Sequence, residues 1–487
     1  MRSLPPAPLR RSTHFRSLRG NPLAILVLAL TAALGACESP DARVESAYAS
    51  DGEQVDSAEI ARLKAEQARA DSVAEWKARF GNRIPKPDSI RGLYVNGWAA
   101  GSRSRMAELI RVAKETEINA FVIDIKESDT YLVYDSTGIA LALEIGADQR
   151  PGSRWLPELI RTLQEEGIYP IARIVVFKDR VLAEKRPDLA IRHTGGGVWK
   201  DQKGKPWVDP YSRTVWDYNI DIAREALDMG FSEIQWDYVR FPDVTATLQR
   251  TMAFADAGGK SRQDNIRDFI AYSQEQLAEY QVPITADVFG LVTHLEGDVG
   301  IGQQWEKLIQ VSDALLPMVY PSHYYAGSYG FGRPVSNPYE IVRMAITDAV
   351  ERTEHLASQG ATVGEVVPWL EAMTASWLRP TVEYGPSHLR GQIQATYDAG
   401  AKSWVLWNPG SRYQVFYPAF RDADGSPSQL ERNGWTAPRY EVPRARLSAA
   451  IRKRDAAERA ARIAADSAFR ANSVPAPTVA TQAGGIE

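Results

Sequence analysis

Asp124, Asp237 and Asp287 fall at the ends of short alternating runs, Phe121-Val122-Ile123-Asp124, Ile234-Gln235-Trp236-Asp237 and Ile284-Thr285-Ala286-Asp287. Basic residues accompany them: Lys126 just after Asp124, Arg173 inside an apolar run, and Arg240 just after Asp237. A strand turns every second side chain to one face. In Glu233–Tyr238 the apolar face is Ile234, Trp236 and Tyr238, and the polar face is Glu233, Gln235 and Asp237. Taken singly, an aspartate at a strand end often caps the next helix, and a core arginine often only neutralises a carboxylate. Together, buried charges of this number are costly unless they pair or work. One ionised carboxylate that attacks or activates water, and one protonated carboxyl that gives its proton to a leaving oxygen, are what glycosidic-bond hydrolysis needs. An arginine beside Asp237 would keep it ionised, and a drier site would raise the pKa of its partner. Competing chemistries lack their residues. The six His are scattered with no H-x-x-H, H-x-H or H-E-x-x-H, and G-x-S-x-G is missing. No metal or cofactor is expected.

The elements that would position these residues recur regularly from Ile90 onward. Strands are expected over Arg91–Asn96, Ala120–Ile125, Tyr169–Val176, Glu233–Tyr238, Pro283–Val288, Ala314–Tyr320, Glu365–Trp369 and Ser403–Trp407. Helices are expected between them over Met106–Thr116, Leu156–Glu166, Thr214–Met229, Gln263–Tyr280, Gln303–Val311, Pro338–Ser358 and Leu389–Ala399. This alternation predicts a single (β/α)8 TIM barrel, an α/β fold. An exposed antiparallel strand would also show one wet face, but the flanking helices make Glu233–Tyr238 a strand between crossovers. A doubly wound sheet would want a glycine-rich phosphate turn after its first strand, and Asn96-Gly97-Trp98-Ala99-Ala100-Gly101 lacks one. Barrel enzymes work at the C-terminal ends of their strands, where all three aspartates fall. Asp124 and Lys126 should share the inward face of their strand. Two long loops, Arg186–Ser212 and Pro321–Asn337, leave the same end and carry Trp199, Trp207, His323, Tyr324 and Tyr325. They suit a cleft for an extended ligand, or pack on each other as a lid.

Outside this region the chain changes character. Residues 1–37 read as an export signal: a basic start, an apolar Leu23–Leu34 stretch, and Leu34-Gly35-Ala36-Cys37, which resembles the bacterial lipobox and contains the lone cysteine. Lipidation of Cys37 would anchor the protein to a membrane, and Glu38 after it implies the outer membrane. Residues 38–88 read as a polar tether and a solvated helix over Ser57–Phe80, residues 89–422 as the barrel, and residues 423–487 as a charged helix and a tail with the composition of disorder. With a net charge of −4 and no basic cluster near the aspartates, nucleic acid is not an expected partner. Thirteen Trp and twenty Tyr suit a site that stacks flat ligands or sugars, although much of that content must be core.

In order, GLYVNGW, FVIDIKESD, QWDYVRFP, TADVFG, MVYPSHY and VVPWLEA resemble the bacterial putative glycosyl hydrolase domain family over roughly Ile90–Phe420. The resemblance implies a barrel fold, carbohydrate as substrate and hydrolysis of a glycosidic bond. A wider similarity to amylase-like barrels carries a nucleophile onto Asp237 and the acid near Asp287, where those barrels have Glu. Glu371 is the alternative acid, and Asp124 follows it. Arg173, Gln235, Arg240, Tyr320, His323, Trp407 and Asn408 are the expected substrate-binding residues. The alternative is a glycan-binding barrel lipoprotein without catalysis.

Overall fold

The computed structural model describes residue 64 and residues 83–421, apart from 129, 130 and 256. The segment ending at Cys37, the tether, the rest of the Ser57–Phe80 helix and the whole C-terminal extension expected from residue 423 lie outside the described residues.

Eight parallel strands close into a barrel. They are β1 (Arg91–Val95), β2 (Ala120–Lys126), β3 (Tyr169–Val175), β4 (Glu233–Asp237), β5 (Ile284–Phe289), β6 (Ala314–Val319), β7 in two pieces (Glu365–Val366 and Trp369–Glu371) and β8 (Trp404–Trp407). Neighbours pair in sequence order, β8 returns to β1, and β7 completes the ring between β6 and β8. The expected (β/α)8 architecture is therefore present.

Alternation along each strand sorts two apolar clusters. Phe121, Ile123 and Ile125 on β2, Ile234 and Trp236 on β4, and Leu93 and Val95 on β1 pack outward in the large core shared with the helices. Ala120 and Val122, Tyr169 and Ile171, and Ala314 and Leu316 fill the barrel interior in a second cluster. Continuing each inward row toward the C-terminal end reaches Asp124 on β2 and Arg173 on β3. These two rows are apolar where the barrel is closed and polar where it opens, whereas the inward row of β4 is polar throughout, its buried Glu233 accepting from the Thr285 hydroxyl at 3.0 Å.

The structure departs from the sequence expectations at identifiable places. β2 slips register against β3 between Asp124 and Lys126, so the two do not share a face. Lys126 points away from the aspartates to Asp179 and Asn219. β7 breaks at Val367-Pro368, where proline has no N–H to give a ladder. The expected Gln303–Val311 helix shrinks to Trp305–Leu308 because Gln303 is pinned to the end of β5 by its side chain. The long loop after β3 pairs with the loop after β4, not with that after β6, through a short ribbon, Arg192–His193 against Met252–Ala253. Its Trp199 and Trp207 are buried.

Candidate active site

The C-terminal end of the barrel opens into a cavity of about 690 Å³. Among the predicted residues, Arg173, Asp237, Arg240, Asp287, Tyr320, His323 and Trp407 line it, while Asp124, Gln235, Glu371 and Asn408 do not.

Arg173 is the hub. Its Nη1 donates to Asp124 Oδ1, its Nη2 to Asp237 Oδ2, and its Nε also to Asp237 Oδ2 at 3.1 Å. Asp287 Oδ2 lies 3.8 Å from the same Nε. Because both oxygens are measured from one nitrogen, the sum of the two distances, 6.9 Å, is the most that can separate them. Asp237 Oδ1 accepts the backbone N–H of Tyr238. Tyr238 holds φ at 48°, an unusual conformation for a bulky residue and one that clusters at functional sites.

Asp287 is fixed from the other side. Its Oδ1 accepts from Gln235 Nε2 and from Trp369 Nε1, each at 2.7 Å, and its Oδ2 accepts no hydrogen bond from the described residues. Burial, and then the negative charge of Asp237, push the Asp287 carboxyl well above the usual carboxylate range, against the pull of Arg173. Gln235 thus holds the Asp287 carboxyl and does not line the cavity. Gln303 holds the backbone of the same strand end, accepting from Phe289 N–H at 2.9 Å and donating to Asp287 C=O at 3.0 Å. Gly290 lets this strand approach β6, because a Cβ there would stand 2.5 Å from the Met318 carbonyl.

Asp124 lies fully buried beneath Arg173 and also accepts from the Tyr94 hydroxyl at 2.5 Å. Burial raises its pKa to about 7 despite Arg173. Glu371 is likewise raised to about 7 by burial. It accepts Ser322 N–H at 3.0 Å and the Ser322 hydroxyl, so it shapes the loop after β6 from outside the cavity. Asn408 ties the turn after β8, donating to Ala372 C=O at 2.7 Å and accepting from Gly410 N–H at 3.0 Å.

One wall is aromatic. Tyr320 and Trp407 stack with centroids 4.8 Å apart, and His323 meets the Tyr320 ring edge-on. Beyond His323 stands Trp377, 56% exposed, with ring centroids 5.9 Å apart. Sequence reasoning missed Trp369, Tyr94, Tyr238 and Gln303 as contributors. The first two sit on inward positions of β7 and β1, a signal that alternation carries. Among the described residues, no group of His, Cys, Asp and Glu is arranged to hold a metal ion.

The family described as "putative glycosyl hydrolase domain" matches residues 92–413. The chain belongs to that family. The match spans all eight strands and the three carboxyls beside Arg173. Among solved structures, the glycoside hydrolase domain of PgaB (BpsB) from Bordetella bronchiseptica is similar over 68% of this chain and 99% of its own, at 13% identity and a TM-score of 0.50. That likeness is one of fold. A hypothetical protein from Ruminiclostridium thermocellum is 41% identical over 40% of this chain and 97% of its own, with a TM-score of 0.37. The glycoside hydrolase domain of PelA from Pseudomonas aeruginosa covers 68% of this chain and 98% of its own at 13% identity and a TM-score of 0.37. No curated protein matches the chain.

Proposed function

We propose that this member of the glycosyl hydrolase domain family hydrolyses a glycosidic bond in a poly- or oligosaccharide, with Asp237 as nucleophile and Asp287 as general acid. The observation that carries the reading is the pairing of two unlike carboxyls in one cavity. Asp237 is ion-paired with Arg173, and Asp287 has its pKa raised by burial and by Asp237. The Oδ2 atoms of the two lie at most 6.9 Å apart, which is compatible with the separation in retaining enzymes, about 5–5.5 Å, and reaches only the lower edge of the inverting range, about 6.5–9.5 Å. In the retaining course, an Asp237 oxygen attacks the anomeric carbon as the bond to the leaving oxygen breaks, and the Asp287 proton passes to that oxygen. Asp287, now a carboxylate, takes a proton from water. The resulting hydroxide attacks the anomeric carbon and frees Asp237. Arg173 keeps Asp237 aimed, and Tyr320 and Trp407 offer ring faces to the sugar.

The test is turnover by Asp237→Asn on a glycan cleaved by the unaltered protein, with NMR of the first anomer released. A fall of roughly 10²–10⁴-fold is expected in the variant, and the unaltered protein should release its first product with the anomeric configuration retained. Full activity in a folded Asp237→Asn would overturn the role of Asp237, and glycan binding without any cleavage would leave a binding barrel.

We further propose that the barrel works in the cell envelope, lipidated at Cys37 and held at the outer membrane. The support is the lone cysteine at the end of an apolar export segment. One acyl chain binds marginally and several bind firmly, so a multiply acylated cysteine needs no membrane span. A fatty-acid label that fails to enter the exported wild-type protein would refute the anchor and leave the catalytic reading untouched.

A further inference from the structure

Two arginines line the cavity, and their hydrogen bonds differ. Arg173 spends all its nitrogens on Asp124 and Asp237. Arg240, only 7% exposed, donates Nη1 to its neighbour's carbonyl, Phe241 C=O, at 3.0 Å. Among the described residues no other acceptor takes its N–H groups, and no carboxylate forms an ion pair with it. Its free edge is Nε with Nη2, the side of a guanidinium that grips two oxygens of a carboxylate or of a tetrahedral oxyanion through two parallel bonds.

The surroundings hold that edge in place. The Arg240 guanidinium lies 4.5 Å from the ring centroid of Phe289, 4.8 Å from that of Tyr238 and 5.2 Å from that of Trp207. Lys178 Nζ reaches two of the same rings, 4.8 Å from Tyr238 and 6.0 Å from Trp207. It too forms no ion pair among the described residues. Both cations thus lie near the same two rings; Arg240 and Tyr238 line the cavity, and Tyr238 takes its place there with φ at 48°. The nearby negative groups are Asp237, already committed to Arg173, and the exposed Asp243, whose charge water screens. Burial lowers the pKa of Arg240, against the pull of Tyr238, Asp237 and Asp243, and an anion held at its open edge would favour its charged form.

Resting on the hydrolase reading above, we infer that the part of the cavity lined by Arg240 takes a sugar bearing an anionic substituent, with Lys178 adding positive charge from beside Tyr238, so that the substrate is an acidic glycan. A carboxylate at C6 of a hexuronic acid and a sulfate ester share the required chemistry.

The test uses the full chain carrying Asp287→Asn, which removes the acid while keeping a neutral group of the same shape. Calorimetry measures binding of oligogalacturonate, oligoglucuronate and sulfated oligogalactan, each beside its carboxyl-reduced or desulfated counterpart. At least one acidic form is expected to bind at least about tenfold more tightly than its neutral counterpart, and the advantage should shrink as salt rises. The carboxylated and sulfated arms identify the substituent. Adding Arg240→Gln should abolish the ratio, and adding Lys178→Gln, at a half-buried and more tolerant position, should reduce it. Neutral forms binding as tightly as acidic ones, or no binding of any acidic form, would overturn the inference. Because binding is read without turnover, acidic binding that wild type never follows by cleavage would count against the hydrolase reading alone.

Discussion

Arg173 and Lys126 are cations on adjacent strands, and their surroundings are opposite in kind. Lys126 Nζ donates to one carboxylate, Asp179, at 2.9 Å and to the Asn219 amide oxygen at 2.8 Å. It also lies 5.1 Å from the Tyr218 ring centroid, and the helix Arg213–Asp228 seals it from water. The charges there balance. Arg173 serves Asp124, Asp237 and Asp287 at once, so negative groups outnumber it, and the set opens into the cavity. A closed and balanced cluster holds a helix to a strand. An open and unbalanced one must keep a proton on some of its carboxyls, and a proton kept in that way can be given to a substrate.

The largest expected effect comes from removing each cation. Arg173→Met should abolish turnover, because it leaves facing carboxylates uncompensated and Asp237 unaimed. Lys126→Met should cost stability, roughly 3–5 kcal/mol for an orphaned buried charge, while the folded fraction keeps its kcat. Denaturant melts beside active-site-titrated kinetics separate the two. If Lys126→Met lost kcat as Arg173→Met does, the division between structural and catalytic clusters would be wrong.

A repair sharpens the contrast. Asp179 also caps the helix Arg180–Lys185, accepting Leu182 N–H at 2.9 Å. Asn is as good a cap as Asp. Lys126→Met combined with Asp179→Asn therefore removes both charges and keeps the cap, and should recover most of the lost stability in the same melts. No apolar repair of the Arg173 cluster should recover activity.

The two clusters should also respond to pH with opposite signs. Asp124 titrates at about 7 in the folded protein against 3.8 as its ordinary value. The folded state binds the extra proton between those values, so stability present below about pH 4 is lost as pH rises toward 7, by roughly 4 kcal/mol at most. Lys126 has its pKa lowered from 10.5 by burial, so its contribution is present above that value and is lost as pH falls through the folded pKa. Urea midpoints of wild type and Asp124→Asn across pH 4–8 would test the first. An unchanged slope in the variant would remove Asp124 from the account.

Much of this contrast could be read before any coordinates. Short apolar runs alternating with helical stretches marked the eight strands, and parity along them sent Asp124, Arg173, Gln235, Asp237 and Asp287 inward, because the side-chain direction on a strand is fixed by parity. The same rule misplaced Lys126, since one slipped residue between Asp124 and Lys126 reverses parity and no local composition marks the slip. Roles that depend on which distant strand lies opposite were harder still. Trp369 bonds Asp287 across 82 residues of sequence, and Gln303 clamps a strand end from a segment whose apolar spacing reads as helix. Pro368 and the shortness of β7 gave that strand little pattern to read.

The smallest effect tests how finely the unbalanced cluster is tuned. Trp369 Nε1 and Gln235 Nε2 both donate to Asp287 Oδ1, and each bond favours the ionised form of Asp287, partly offsetting the upward push of burial and of Asp237. Trp369→Phe removes one donor while leaving an aromatic ring inside the barrel. The charged form then loses support, so the Asp287 pKa should rise further. If Asp287 is the proton donor, the alkaline limb of the kcat/KM profile reports its loss of that proton and should move to higher pH. Activity at the optimum should fall only a few-fold, because the carboxyl keeps Gln235 as its anchor. The matching change in the balanced cluster, Asn219→Leu, takes a partner from Lys126 and should lower stability without moving either limb. A Trp369→Phe limb that stayed in place, or moved to lower pH, would mean that another group carries the proton. Asp124 and Glu371, each near 7, would then return as candidates, and the Arg173 cluster would owe its imbalance to something other than acid catalysis.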